Sequence, residues 1–414
     1  MRRHYFFRRL SCLATTLAAF WLGGCSLIYD SFGGRFLGPP SRLDSALGPG
    51  ARKLLEEALD GIEPGTFSDF HVHHLSLLLN EEWLSWLHPV KRARTLIYMS
   101  ASGVELTATI VKDHLARITE LARALPPGSR LHLYAMDRTY REDGTADVER
   151  TPFFVPDESV LGAAREQPEL FVPVISVHPY RKDALEALES GARAGSRHVK
   201  WLPNSMGINP SSTLVEPFYR KMVELDMVLL THTGGEEAFE ASYPEFGNPL
   251  LLRKPLDMGV KVVALHGGSN GKNVDLDDPA REGISSWKLV FRLLEDPRYD
   301  GLLFADTASM TFFNHLKGAL HALLDREDLQ RRFVHGSDYP LCGVNMALWT
   351  WKLACEGFIT DEEAAALDEI YGYNPLLFDL VVKRTVRHPV TGKRLALSVF
   401  KTPPALAPRA AAAP

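Results

Sequence analysis

The chain has 414 residues, 45% apolar and 23% charged, a globular composition that excludes a disordered, collagenous or coiled-coil polypeptide. Forty-six basic side chains against 51 acidic ones leave a formal charge of −5, with no basic excess to meet the phosphates of a nucleic acid. Four cysteines are too few for a disulfide-built scaffold.

Residues 1–24 carry the ordered parts of a secretory signal: Arg2-Arg3 and Arg8-Arg9, an apolar run from Leu10, and small residues before Cys25. The stretch between Arg9 and Cys25 falls short of the roughly 20 residues a membrane span needs. Leu22-Gly23-Gly24-Cys25 resembles the lipobox of bacterial lipoproteins. That resemblance implies a lipid anchor on Cys25 and a periplasm-facing location, with Ser26 in favour of the outer membrane. Residues 25–60 read as a Gly/Pro/Ser-rich tether and 401–414 as a disordered low-complexity tail, since neither composition buries much apolar area. Cys342 and Cys355 are then the remaining thiols, either paired in an oxidising compartment or both free and buried.

The span 61–400 reads as one domain. Short apolar runs at Phe67–His73, Leu131–Asp137, Phe171–His178, His198–Leu202, Met227–His232, Val260–His266, Gly301–Asp306 and Phe333–Asp338 alternate with helical patterns. Near-continuous apolar runs separated by helices indicate parallel strands buried on both faces. Val111, Leu115, Ile118, Ala122 and Leu125 mark a helix stopped by Pro126-Pro127-Gly128, and Thr360 with Glu363 forms a capping box. Eight such units predict an α/β fold, a (β/α)8 TIM barrel, with a doubly wound open sheet as the alternative. A helical insertion over 75–125, with Trp83, Trp86 and Leu87 on its apolar face, is expected to wall or cover the mouth.

The chemistry lies at the strand ends. His71 and His73 sit two apart, so both imidazoles can share one face. His232 and His266 each end a later strand, and Asp338 ends the last. In a barrel these positions converge on one mouth, and the donor types suit zinc or a similar divalent ion.

Asp69-Phe70-His71-Val72-His73, Thr231-His232-Thr233-Gly234, Leu265-His266-Gly267-Gly268 and His335-Gly336-Ser337-Asp338-Tyr339-Pro340 together resemble the amidohydrolase superfamily, in its amidohydrolase-related branch (amidohydrolase 2). Asn374-Pro375-Leu376-Leu377-Phe378 looks like the helix that closes that family's barrel. The resemblance implies His71, His73 and His232 as metal ligands and Asp338 as a contact to the ion and the attacking water. It makes His266 a second-metal ligand or an acid/base. Lys200 would bridge two ions, contact a substrate anion or be structural, so one ion and two both stay open. Arg138, His178 and Asp306 also end strands and are candidate substrate contacts. A bound ion can lower the pKa of water from 15.7 to about 7, so the implied activity is hydrolysis of a small amide, ester or lactone. Non-oxidative decarboxylation on the same site is the alternative.

Two rivals belong to other classes. Gly267-Gly268-Ser269-Asn270-Gly271 has the form of a nucleophile elbow, which would make Ser269 the nucleophile of a serine hydrolase. The histidines could instead serve a non-catalytic ligand-binding lipoprotein.

Overall fold

A computed structural model describes residues 31–75, 89–105, 107, 109–151 and 153–408. In chain order the strands are β1 Ser68–His73, β2 Arg130–Tyr134, β3 Phe171–Ile175, β4 His198–Trp201, β5 Val228–His232, β6 Lys261–Leu265, β7 Lys272–Val274, β8 Gly283–Ser285, β9 Leu303–Asp306 and β10 Phe333–Val334. All but β7 and β8 form one parallel sheet, and those two pair as a small antiparallel hairpin. The sheet closes on itself. The Phe70 and His73 N–H groups donate to the His335 and Tyr339 carbonyls at 2.9 and 2.8 Å, and the Asp338 N–H returns to the His71 carbonyl at 2.9 Å. An open sheet has no bond between its first and last strands, so the fold is the expected (β/α)8 barrel. Along β5, Val228 and Leu230 point into the barrel and Leu229 points out to the helices, the period of two that parallel strands require.

The helices used below are α1 Pro49–Leu59, α2 Pro89–Ser102, α3 Ile110–Ala122, α4 Thr350–Cys355, α5 Asp361–Tyr371 and α6 Pro375–Thr385. The Thr360–Glu363 capping box opens α5, and the Asn374 side chain caps α6 by accepting from Leu377 N–H at 2.9 Å. Of the insertion, α3 is the ordinary crossover between β1 and β2, while α2 is extra and walls the mouth. Trp83, Trp86 and Leu87 lie outside the described residues, as do the leader 1–24 and Cys25. No described helix is long and apolar enough to cross a membrane.

Two expectations from composition are corrected. The tether is structured from Pro40: Leu43, Leu47, Ala51, Leu54 and Ala58 recur at helical spacing and are buried in the main core. Its prolines start helices at Pro40 and Pro49, where a missing N–H costs nothing. Residues 401–408 of the tail are ordered. Thr402 N–H donates to the Thr66 carbonyl at 2.8 Å. Leu406 is fully buried among Phe70, Tyr134, Val174 and Leu230, so it seals the barrel floor. Both remaining cysteines are free; Cys342 is buried and Cys355 exposed.

Candidate metal centre

The donors stand where the strands release the chain. His71 and His73 leave β1 across a register shift between Asp69 and Val72. Asp69 Oδ1 fixes that irregular turn by accepting the N–H groups of His71 at 3.0 Å and Ser337 at 2.9 Å. His266 and Asp338 both have φ of +61°, a left-handed conformation uncommon for residues with a side chain. Such strain persists only where the surroundings impose it, and it collects at functional sites.

One cavity of about 520 Å³ is lined by His71, His73, Lys200, His232, His266 and Asp338. Within it, Asp338 Oδ1 lies 3.3 Å from His71 Nε2 and 3.2 Å from His73 Nε2. These three residues place ligand atoms within 4.8 Å of one another. His266 stands behind, its Nδ1 3.9 Å from Asp338 Oδ2. His232 borders His266 with ring centroids 4.7 Å apart. Its Nε2 meets the Gly235 carbonyl at 3.2 Å and its Nδ1 lies 3.5 Å from Glu236. The expected set therefore divides: His71, His73 and Asp338 converge, while His232 and His266 flank them.

Protonation follows from the neighbours. Burial holds the His71 imidazole well below its ordinary pKa, so it carries one proton. Placed on Nδ1, 2.7 Å from Asp306 Oδ2, that proton leaves Nε2 with a lone pair toward the cavity. Burial pushes the Asp338 carboxyl up, but its polar neighbours, among them the Ser309 hydroxyl at 2.7 Å, bring it net below the usual carboxylate range. His71 Nε2 and Asp338 Oδ1 are both buried without a hydrogen-bond partner. Two lone pairs facing each other at 3.3 Å repel unless a cation lies between them. The donor set fits a divalent ion.

The other candidates separate. Lys200 is buried at the end of β4, with Nζ 4.8 Å from the Tyr134 ring centroid; burial lowers its pKa. Asp306, a candidate substrate contact, is enclosed behind His71. It is fully buried, faces His71 Nδ1 at 2.7 Å through Oδ2, and accepts the His266 and Ala308 N–H groups on Oδ1. His178 and Arg138 are corrected. His178 Nε2 meets the Met206 carbonyl at 2.9 Å and its Nδ1 accepts from Tyr180 N–H. Arg138 stacks on Phe154 at 3.8 Å and lines a separate cavity outside the barrel.

Ser269 faces the mouth without the machinery of a nucleophile. No helix follows it; the chain enters β7. Its Oγ lies 3.2 Å from His315 Nδ1, but that nitrogen also meets the Ser309 carbonyl at 2.9 Å. A nitrogen that donates to a carbonyl cannot also take the serine proton.

A second cluster, His321, Asp325 and His388, has metal-like spacing at the surface. His388 Nδ1 accepts the N–H groups of Val390 and Thr391, both at 3.1 Å, so its proton sits on Nε2, which faces Asp325 at 3.2 Å. A protonated nitrogen is a donor, not a ligand. Sequence reasoning gave Asp69 no role and missed Ser309 and Glu236. Of these only Glu236, four residues after His232, had a spacing that could have drawn notice.

A comparison with curated proteins finds no match. Among solved structures, an uncharacterized TIM-barrel protein from Bordetella bronchiseptica is 17% identical, with 73% of this chain and 99% of that chain covered and a TM-score of 0.46. A putative 2-pyrone-4,6-dicarboxylic acid hydrolase from Pseudomonas putida is also 17% identical (67% and 84% covered, TM-score 0.37). The 5-carboxyvanillate decarboxylase of Novosphingobium aromaticivorans, solved with manganese, is 12% identical (74% and 93%, TM-score 0.42). A family model described as amidohydrolase matches residues 69–377, most of the chain, and the protein belongs to that family.

Proposed function

We propose that this protein is a metal-dependent hydrolase that opens an amide, ester or lactone bond of a small molecule. The carrying observation is the buried, unpartnered pair His71 Nε2 and Asp338 Oδ1, with His73 alongside. Two imidazoles and one carboxylate are the number of protein ligands a catalytic zinc keeps when one position stays open. When bound, such an ion supplies Lewis acidity toward water and the substrate carbonyl. Asp338, braced by Ser309, is the base for the proton of the attacking water. His266, held neutral by burial, stands beside it to steer or return that proton. The apolar wall of Ile97, Phe239, Phe312 and Phe313 keeps bulk water from competing.

The reading includes lipidation of Cys25 after export, supported by the order of charged, apolar and small residues before it. It places the enzyme on the periplasm-facing side of the cell envelope.

The experiment uses protein stripped with a chelator and reloaded with zinc or manganese, then offered lactones, esters, amides and aromatic carboxylates. Metal-dependent acid release with no carbon dioxide supports hydrolysis. Metal-dependent carbon dioxide release would replace it with decarboxylation, and activity that survives chelation would overturn both.

A further inference from the structure

We infer that the rim of the barrel mouth formed by Phe32, Met346 and Trp351 docks on a lipid bilayer, so that the active site opens toward the membrane. The inference rests on the lipid anchor proposed at Cys25. Among the described residues, the exposed large apolar side chains include two aromatic ones, Phe32 (45% exposed) and Trp351 (59%). Both belong to this rim. Met346 (47%) is exposed as well and also lines the catalytic cavity.

The rim is continuous. Asn345 N–H donates to the Gly33 carbonyl at 2.7 Å, and its side-chain amide donates to the Ser31 carbonyl at 3.0 Å. The segment carrying Phe32 is thus fastened beside Met346. From the cavity wall outward, Phe313 stacks on Trp349 with centroids 4.2 Å apart, and Trp349 on Trp351 at 5.5 Å. Lys352 lies over this stack, its Nζ 5.6 Å from the Phe313 ring and 6.0 Å from Trp349. Tryptophan and lysine side by side suit the bilayer interface, where the ring enters the headgroup level and the ammonium stays wet. Single exposed apolar side chains need no explanation, but a contiguous aromatic patch does.

The anchor selects the occupant. Ser31 is six residues from Cys25, and six residues span at most about 20 Å. A lipid on Cys25 therefore holds this rim within that distance of the bilayer surface. The opposite end of the barrel, where Leu406 seals the floor, is separated from that rim by the length of the strands. The cavity wall continues into the patch through Phe313 and Met346, so a substrate dissolved in the lipid reaches the metal centre without crossing open water.

Cys355 supplies a built-in probe. It is exposed, it sits four residues after Trp351 on α4 and so shares its face, and the other described thiol, Cys342, is fully buried. The full chain is made in a bacterium that processes lipoproteins and reconstituted in vesicles of phosphatidylethanolamine and phosphatidylglycerol. A fluorophore on Cys355 is then challenged with brominated lipids. The reference probe is Glu169→Cys in a Cys355→Ser background, on an exposed site just ahead of β3 at the floor end. Quenching several-fold stronger at Cys355, reduced by Phe32→Ser with Trp351→Ser, is the expected result. Equal quenching at both sites, with flotation on vesicles intact, overturns the orientation and leaves the anchor standing. Failure of the wild type to float, or flotation that survives Cys25→Ser, removes the anchor and this inference with it. Protection of Cys355 in detergent alone, with a doubled mass, would assign the patch to a second copy of the chain and overturn the inference.

Discussion

His71 Nε2 and Asp338 Oδ1 face each other across 3.3 Å, both buried and both without a hydrogen-bond partner. The His71 proton is committed on the far side of the ring, to Asp306. With the ring in that tautomer, a cation between the two atoms would turn their facing lone pairs into ligands. Asp338→Asn tests how the two roles of this carboxylate divide. The amide oxygen can still face a cation but cannot take a proton from water. Turnover should fall by about 10²- to 10⁴-fold, the usual worth of a positioned base. Metal content by mass spectrometry should fall far less. A variant that loses metal and activity in equal proportion would reduce Asp338 to a ligand alone.

Asp306 acts one step behind the donors. Its carboxylate fixes the His71 tautomer and anchors the His266 backbone. Asp306→Asn should weaken metal affinity by about 10- to 100-fold, as loss of such partners does. With saturating zinc or manganese, much of the activity should return. That rescue separates a positioning residue from a substrate contact, whose loss would raise KM at any metal concentration.

The barrel and its mouth were legible because both depend on short-range periodicity. Alternation along strands marked the runs, and donor side chains ending those runs had to converge once the sheet closed. Orientation at a strand end was harder to read. His178 and Asp306 both follow apolar runs, yet one turns outward to Met206 and the other sits under His71, since a single residue of phase decides the face. Composition misled at both termini. A Gly/Pro-rich stretch hid five core positions from Leu43 to Ala58, and a tail of prolines and alanines hid Leu406. One buried leucine has no compositional signature, and its place under the barrel is fixed by contacts some 200 residues distant, such as the His198 ring on its carbonyl.

The burial of that ring predicts an acid sensitivity remote from the candidate metal centre. Burial lowers the His198 pKa to about 3, against an ordinary value of 6.5. Above pH 6.5 the folded and unfolded chains both hold this imidazole neutral. Below it, the unfolded chain takes up a proton that the folded one refuses, so stability falls with pH down to about 3. The slope is about 1.4 kcal/mol per pH unit for one such group. In urea unfolding at pH 6.5 and pH 5, the wild type should lose about 2 kcal/mol more than His198→Gln. Parallel losses in the two proteins would mean that the ring is hydrated or already charged in the fold.

Lys200 is the residue on which a one-ion and a two-ion centre would differ. It is fully enclosed, lines the same cavity as His71 and Asp338, and burial makes its neutral amine accessible near physiological pH. A neutral amine can be carboxylated and then offers two oxygens, the requirement for bridging a second ion toward His232 and His266. Those two imidazoles stand outside the convergent group of His71, His73 and Asp338, where a second ion would need them. An ammonium in the same place would instead meet a substrate anion. The readings separate on stoichiometry. If Lys200 bridges, the wild type binds two ions per chain, and Lys200→Ala drops to one or none, with bicarbonate supporting the wild type alone. If Lys200 binds substrate, both proteins hold one ion and the variant shows a raised KM. An unchanged ion count with unchanged kinetics would make the lysine structural, held against the Tyr134 ring.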